Sequence, residues 1–502
     1  MTPDRIIGTK HFATFNLPNR EAVGGEFLLD GHHSRVILYM DYHFFLESRH
    51  IDFLHASIDG PRWISFLNCI AVGAETLYVR PEGRTHRVHL YAHFAIIGPR
   101  PITLGSQITR IGVVVDDFAN IYDDFDAFGI DVAPEKHITA ILKAFQEKIG
   151  RQIETGDQPI IAYFAGRPQL LSAQAPFGRV TASHRPSYGM GELRGISIHN
   201  NVWTNLEFDP SVTFENAINN LMTVLRFLEL IAGRRQNIQE IDLELDAPAP
   251  SYFKVYWPEP PKRATSLDDR TPHPMDMPLN GGIRPTEFAR VLEGWLALDQ
   301  MRADARAQFS DGFSKSNHYD VARLVSSANM FDILPSTVFP LNVNLPEDLQ
   351  KAKAETQRIF KSLPQSSERD SILSALGRLG SPSLKRKVRH RGEVILTAVP
   401  KAYARGFPDL LLVLDEAVNC RNHYVHGSPA KIDYHGLLPF LIDTLEFVFG
   451  ASDLIDAGWE IGGWIGRTTG SHPFGSYCAS YLHNMQRLQE ALQQPQEPQS
   501  NC

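Results

Sequence analysis

At Asp209-Pro210 the spacing of apolar residues in this chain changes from that of strands to that of helices. Before that point, short β-branched and aromatic runs end at turn residues. Glu26-Phe27-Leu28-Leu29 is closed by Asp30-Gly31, and Arg35 to Tyr39, Glu75 to Val79, His86 to Ile97 and Gln158 to Phe164 continue the pattern. Pro134 to Ile149 is the best helix in this part. A curved antiparallel sheet, sandwich-like or partly closed, is expected. Beyond the change, Phe214 to Ala232 has helical spacing and stops at Gly233, a suitable C-terminal cap. Ala247 to Gly282 is rich in proline around the apolar island Tyr252 to Trp257, and reads as an ordered but irregular crossing segment. From Thr286 the expected helices are Thr286–Phe309, Tyr319–Asp332, Glu347–Ser362, Arg369–Leu379, Leu384–Ala398, Pro408–His426, Leu437–Ala457 and Tyr477–Gln493. The reading is an α+β multidomain chain. A β-rich domain covers 1–210, a helix and Pro-rich connection 211–284, an all-α bundle 285–493, and a disordered polar tail 494–502.

A length of 502 residues suits two or three domains better than one core. The net charge of −8 argues against a general nucleic-acid coat protein but leaves room for a local basic groove. Cys69, Cys420, Cys478 and Cys502 have no paired spacing, which predicts reduced thiols and neither disulfides nor a zinc site. Met1 to Lys10 lacks the apolar core of a signal peptide. The longest apolar stretch, Leu437 to Phe449, is broken by Pro439, Asp443 and Glu446, short of the roughly 20 residues that span a bilayer. A cytoplasmic protein without membrane contact is expected.

The chemistry points to the helix Pro408–His426. Projected at about 100° per residue, Leu410, Val413, Ala417, Cys420 and Tyr424 form one apolar stripe, and Leu411, Leu414, Val418 and Val425 a second. Asp415, Asn419, Asn422 and His426 share the polar side. Arg421 falls between the apolar stripes, where a guanidinium is costly unless it is paired or lines a cleft. A structural ion pair is the competing reading. Asn422 and His426 are four apart, so the amide could orient the imidazole. A histidine that exchanges protons near neutral pH, beside an arginine that braces a phosphate, suits metal-free RNA cleavage by the 2′-hydroxyl. Arg421 and His426 lie about 140° apart around an ideal helix. Their tips meet only if the last turn unwinds, if Arg421 reaches around, or if a two-fold related copy supplies the second half.

Arg421-Asn422 followed by His426, at the end of a long helix in an all-α region, resembles the HEPN superfamily signature of Arg, four residues, then His. The whole chain resembles the ApeA-type anti-phage proteins, which join a β-rich N-terminal domain to such a HEPN helical bundle. Val23-Gly24-Gly25-Glu26-Phe27, Ser65-Phe66-Leu67-Asn68-Cys69 and Asn200-Asn201-Val202-Trp203-Thr204-Asn205-Leu206 are similar to segments of that first domain. The resemblance implies an abortive-infection endoribonuclease, needing no cofactor, that cuts transfer or other cellular RNA after a phage-derived trigger. Arg421 and His426 would be catalytic, Asn422 would position His426, and a homodimer would form through the HEPN domain. The alternative is a non-catalytic module that binds RNA, a nucleotide or a protein partner.

Other features carry less. Lys385, Arg386, Lys387, Arg389 and Arg391 form the densest basic run, either an RNA-tracking surface or a solvated helix face. His423 and Glu416 flank the motif as possible auxiliaries, and Arg234-Arg235 could be capping charge. His86, His89 and His93 read as structural, since His89 and His93 would lie about 13 Å apart along a strand, too far for one ion. The acidic residues Asp116 to Asp126 lack the spacing of a calcium loop. Gly189 to Gly195 has the wrong spacing for a dinucleotide loop, and no Walker sequence occurs.

Overall fold

A computed structural model describes residues 6–18, 21–40, 49–58, 62–80, 83–190, 195–247, 251–263, 271–315, 317–339, 345–380, 382–467 and 470–493. The tail 494–502 with Cys502, residues 1–5, and the centre of the Gly189-to-Gly195 stretch lie outside them. The chain forms two compact units, Met1–Arg263 with Leu279–Leu296, and Ala264–Pro278 with Ala297–Cys502.

In the first unit, β1 (Lys10–Asn16), β2 (Val23–Leu28), β3 (Arg35–Met40), β4 (His50–Ile58), β5 (Arg62–Arg80) and β6 (Gly83–Gly98) pair antiparallel. Their order β6-β3-β2-β1-β4-β5 returns to β6, so of the expected curved antiparallel sheet this part closes into a six-stranded barrel. Alternate inward residues make its core, with Phe15, Phe27, Leu38, Leu54, Phe66, Val88 and Leu90 buried together. The fit is close at Gly25, where an added Cβ would fall 2.4 Å from the Ile37 carbonyl oxygen and 2.8 Å from the Phe15 ring.

β6 is long enough to serve a second structure. His86 to Leu90 pair with β3, while Ala95 to Ile97 pair with a strand far along the chain. The elements that follow are β7 (Ile108–Val115), α1 (Phe118–Tyr122), β8 (Phe128–Asp131), α2 (Glu135–Ile149), β9 (Ile161–Phe164), β10 (Leu171–Ala175), β11 (Gly178–Met190), β12 (Ile196–Val212), α3 (Phe214–Ala232), β13 (Ile238–Leu245) and β14 (Tyr252–Tyr256). From β6 the sheet continues β14-β13-β7-β12-β11-β10, all antiparallel, with α3 laid on β7 and β12. Two sequence expectations change here. The sheet runs through Pro210 to Val212 and returns twice more, because the alternation in Ile238–Leu245 is short and was masked by the helix before it. The apolar island in the Pro-rich segment is the regular strand β14, not an irregular crossing.

The second unit is helical. Its elements include the later part of α4 (Pro285–Ser314), then α5 (Val321–Ile333), α6 (Glu347–Ser362), α7 (Ser367–Arg378), α8 (Leu384–Ala398), α9 (Leu410–His426), α10 (Leu438–Asp456) and α11 (Pro473–Gln493). The sequence places these helices well but misses ends. Pro473 begins α11, a residue suited to a first turn. Pro408 lies outside α9, because Asp409 takes a left-handed conformation with φ of 54° and breaks the helical path. α10 is the hub, packed against α5, α8, α9 and α11, with 13 of its 19 residues buried. Among the described residues, no helix is long and apolar enough to cross a membrane.

Two acids of α10, the buried Asp453 and the half-buried Asp443, tie the bundle together. Asp453 accepts from Arg302 Nη1 at 2.6 Å and Arg306 Nε at 2.8 Å. Asp443 accepts from the Tyr319 hydroxyl at 3.3 Å. Burial, then the neighbouring Glu446, pushes the Asp443 carboxyl up to about 7, outweighing the Tyr319 hydrogen bond and Arg323. The fold therefore favours the neutral acid. That contribution is full below the ordinary carboxylate value of 3.8 and is lost as the pH rises through about 7. Asp443→Asn should thus raise the melting temperature at pH 8 more than at pH 5, as calorimetry at the two values would read. An equal shift at both would clear the ionisation of any part in it.

Candidate active site

α9 carries the motif, and its packing explains where each side chain goes. Leu410, Val413, Leu414, Ala417, Val418 and Cys420 are buried, so both apolar stripes hold up to Cys420. They then stop. Tyr424 and Val425 are 43% and 42% exposed, because the last turn of α9 runs past the packed bundle. Projection assumed uniform burial along the helix; the rim position leaves Arg421 half-buried and His426 exposed. Gly427 then ends the helix with φ of 66°, its N–H donating to the His423 carbonyl.

Arg421 and His426 do meet within one chain. Arg421 Nη1 donates to His426 Nε2 at 2.9 Å. The helix stays wound to His426, so the long arginine side chain covers the separation by reaching along and around the axis. Arginine has no acceptor, so His426 Nε2 holds a lone pair here and the ring of a neutral His426 carries its proton on Nδ1. The same Nη1 donates to Asn422 Oδ1 at 3.1 Å. Asn422 therefore steadies Arg421, not His426 as the four-residue spacing suggested. Arg421 Nη2 donates to Asn329 Oδ1 on α5 at 3.4 Å. Nothing in the sequence links Asn329 to the motif, which lies 92 positions away.

The expected auxiliaries have structural partners. His423 Nδ1 donates to the Ser428 carbonyl at 2.8 Å, and its ring lies against Tyr424 and Tyr434, fixing the turn after the helix. Glu416 is buried and accepts from Asn419 Nδ2 at 2.9 Å and the Tyr434 hydroxyl at 3.2 Å. Burial, then the Glu416 charge, pushes the neighbouring Cys420 thiol up to about 12, so it stays neutral.

The basic run divides. On α8, Arg389 and Lys385 pair with Asp415 of α9 at 2.8 and 3.3 Å, and Lys387 pairs with Asp332 of α5 at 3.1 Å. Arg386 is exposed. Arg391 cannot join an RNA surface: it is buried, donating from Nε to Ser452 Oγ at 2.9 Å and pairing with Asp456 at 2.8 Å. Arg391→Ala should therefore destabilise the protein, whereas Arg386→Ala should leave the melting temperature unchanged, both readable in one set of melts.

Elsewhere, His86 contacts Thr76 at 3.2 Å and His89 approaches Glu75 at 3.9 Å. Asp117 pairs with Arg234 at 2.6 Å and Glu229 with Arg235 at 3.1 Å, so these arginines are ion-pair partners and not simple helix-end charge. Asp124 pairs with His184 at 2.8 Å. Among the described residues, no group of three or more His, Cys, Asp or Glu is placed to hold a metal ion.

Residues 10–295, more than half of the chain, match the family model for ApeA N-terminal domain 1. The chain belongs to the ApeA family. Residues 325–461 of this ApeA protein match the model for the Apea-like HEPN domain, which takes in Asn329, Arg421 and His426. No curated protein and no solved structure matches it. The two family matches point to a nuclease-like or nucleotide-related role in anti-phage defence.

Proposed function

We propose that this ApeA protein is a metal-independent endoribonuclease that cuts cellular RNA, transfer RNA included, during phage infection. The observation that supports it is the pairing of an exposed His426, whose Nε2 lone pair accepts from Arg421, with a half-buried guanidinium at the rim of the bundle. RNA brings its own nucleophile. A backbone phosphate takes the Arg421 guanidinium in charge-assisted hydrogen bonds and draws it off His426. The freed Nε2 accepts the proton of the adjacent 2′-hydroxyl. The 2′ oxygen bonds to phosphorus, the bond from phosphorus to the 5′ oxygen breaks, and that oxygen is protonated by water. The products are a 2′,3′-cyclic phosphate and a 5′-hydroxyl. Arg421 offsets the charge that grows on the pentacoordinate phosphorus.

In this reading Arg386, with Lys385, Lys387 and Arg389, guides the RNA. The β-rich region senses a phage-derived trigger. A homodimer forms through the HEPN domain, with the exposed Tyr424 and Val425 as its apolar contact; completing the Arg–His pair is no longer the reason for it. One observation favours the rival, a module that binds without cutting: the base is engaged by Arg421 at rest. Total RNA incubated with purified protein in EDTA separates the two. The expected result is cyclic-phosphate ends produced by wild type and absent with Arg421→Ala or His426→Ala. No cleavage by wild type, even with phage components added, would sustain the rival, and cleavage lost on chelation alone would end the metal-free mechanism.

A further inference from the structure

The two edges of the Arg421 guanidinium are held very differently. Nη1 has two acceptors, Asn422 Oδ1 and His426 Nε2, at 3.1 and 2.9 Å. The opposite edge has Asn329 Oδ1 on Nη2 at 3.4 Å, while the adjacent Nε–H is buried with no acceptor among the described residues. Asn329 is thus the one group from another helix that holds this edge among the described residues. α5 and α9 pack together, so its backbone is a fixed point against which the guanidinium plane can be set. It is also a neutral amide. A carboxylate there would bind the guanidinium harder and cancel the charge a phosphate needs, whereas an amide holds the group and leaves that charge intact. Acids are close at hand on the same helix: Asp332, one turn on, serves Lys387.

We propose that Asn329 is a positioning residue for Arg421, setting the guanidinium so that it bridges His426 at rest and receives a phosphate in its place. This rests on the ribonuclease reading of the same site. Asn329→Asp keeps the size of the side chain, so folding should survive. It should lower kcat for RNA cleavage by about ten- to a hundredfold through a neutralised Arg421, with a smaller change in KM. Asn329→Ala should lower kcat less, and neither variant should shift the melting temperature as a purely structural residue would.

A second readout needs no activity. In protein labelled with ¹⁵N at arginine and histidine, the Arg421 Nε–H signal, identified by its loss in Arg421→Lys, and the His426 ring nitrogens should move in both variants. Unmoved signals in both overturn the proposal, whether or not the protein cuts RNA. Wild-type kcat in both variants also overturns it while leaving the ribonuclease reading intact. If wild type cuts no RNA, that reading falls, and the signals alone decide whether Asn329 sets Arg421.

Discussion

His426→Ala is expected to slow metal-free RNA cleavage by about a hundred- to ten-thousandfold, the range that a positioned acid or base supplies. Arg421→Ala should lose about a hundred- to a thousandfold, as when one donor to a developing anion is removed. The double variant should be little worse than the poorer single one, because each residue acts through the other and the losses do not add. Arg421→Lys should rescue poorly. An ammonium keeps the charge but cannot place separate donors toward Asn422, Asn329 and a phosphate at once. Single-turnover rates on one RNA oligonucleotide, at saturating enzyme, would measure all four. Both side chains sit at the rim, where α9 leaves the bundle, so circular dichroism should show unchanged folding. Wild-type rates in His426→Ala would remove the histidine from the mechanism.

The largest effect on stability is expected at Asp453. Its carboxylate is 3% exposed and accepts from both Arg302 and Arg306. Asp453→Ala would leave two guanidinium groups in the core with a missing counter-charge, a loss of about 3–5 kcal/mol. Urea unfolding followed by the fluorescence of Trp459 and Trp464, in the same unit, would read it as a lower midpoint with an unchanged slope. Acid should act in the same direction. Burial raises the Asp453 carboxyl, but Arg306 and Arg302 more than offset it and hold it below the ordinary 3.8. Its contribution is therefore full above 3.8 and is lost as the pH falls through the lower folded-state value. A midpoint unchanged in Asp453→Ala would mean that Asp299 and Asp456, which also pair with these arginines, suffice.

The sequence was most readable where one helix or strand decides its own pattern. α6 and α8 fall where their spacing puts them, and the Gly233 and Gly427 stops hold because the glycines take left-handed backbone. It was least readable where distant pieces meet. Closure of the barrel depends on β3 finding β6, and no run of residues in either announces that partner. The site shows the same limit. Arg421 and His426 were found because one helix carries both, but their contact depends on where α9 leaves the bundle, which projection cannot see. Asn329 was invisible for the same reason as the barrel, being brought in by packing. Arg391 misled in the opposite sense: a basic run looks like surface until Asp456 and Ser452 are seen beneath it.

The double duty of β6 has a bearing on how the β-rich region can be divided. A chain stopped at Pro210, where the composition turns helical, would keep all six barrel strands yet strip β14 from β6 and β13 from β7. Two rows of backbone N–H and C=O groups would then face water unpaired, an invitation to stick to other chains edge to edge. The β-rich unit therefore needs the chain through Tyr256 and takes in Leu279–Leu296 as well, so the visible seam in its composition is not a place where it can be cut.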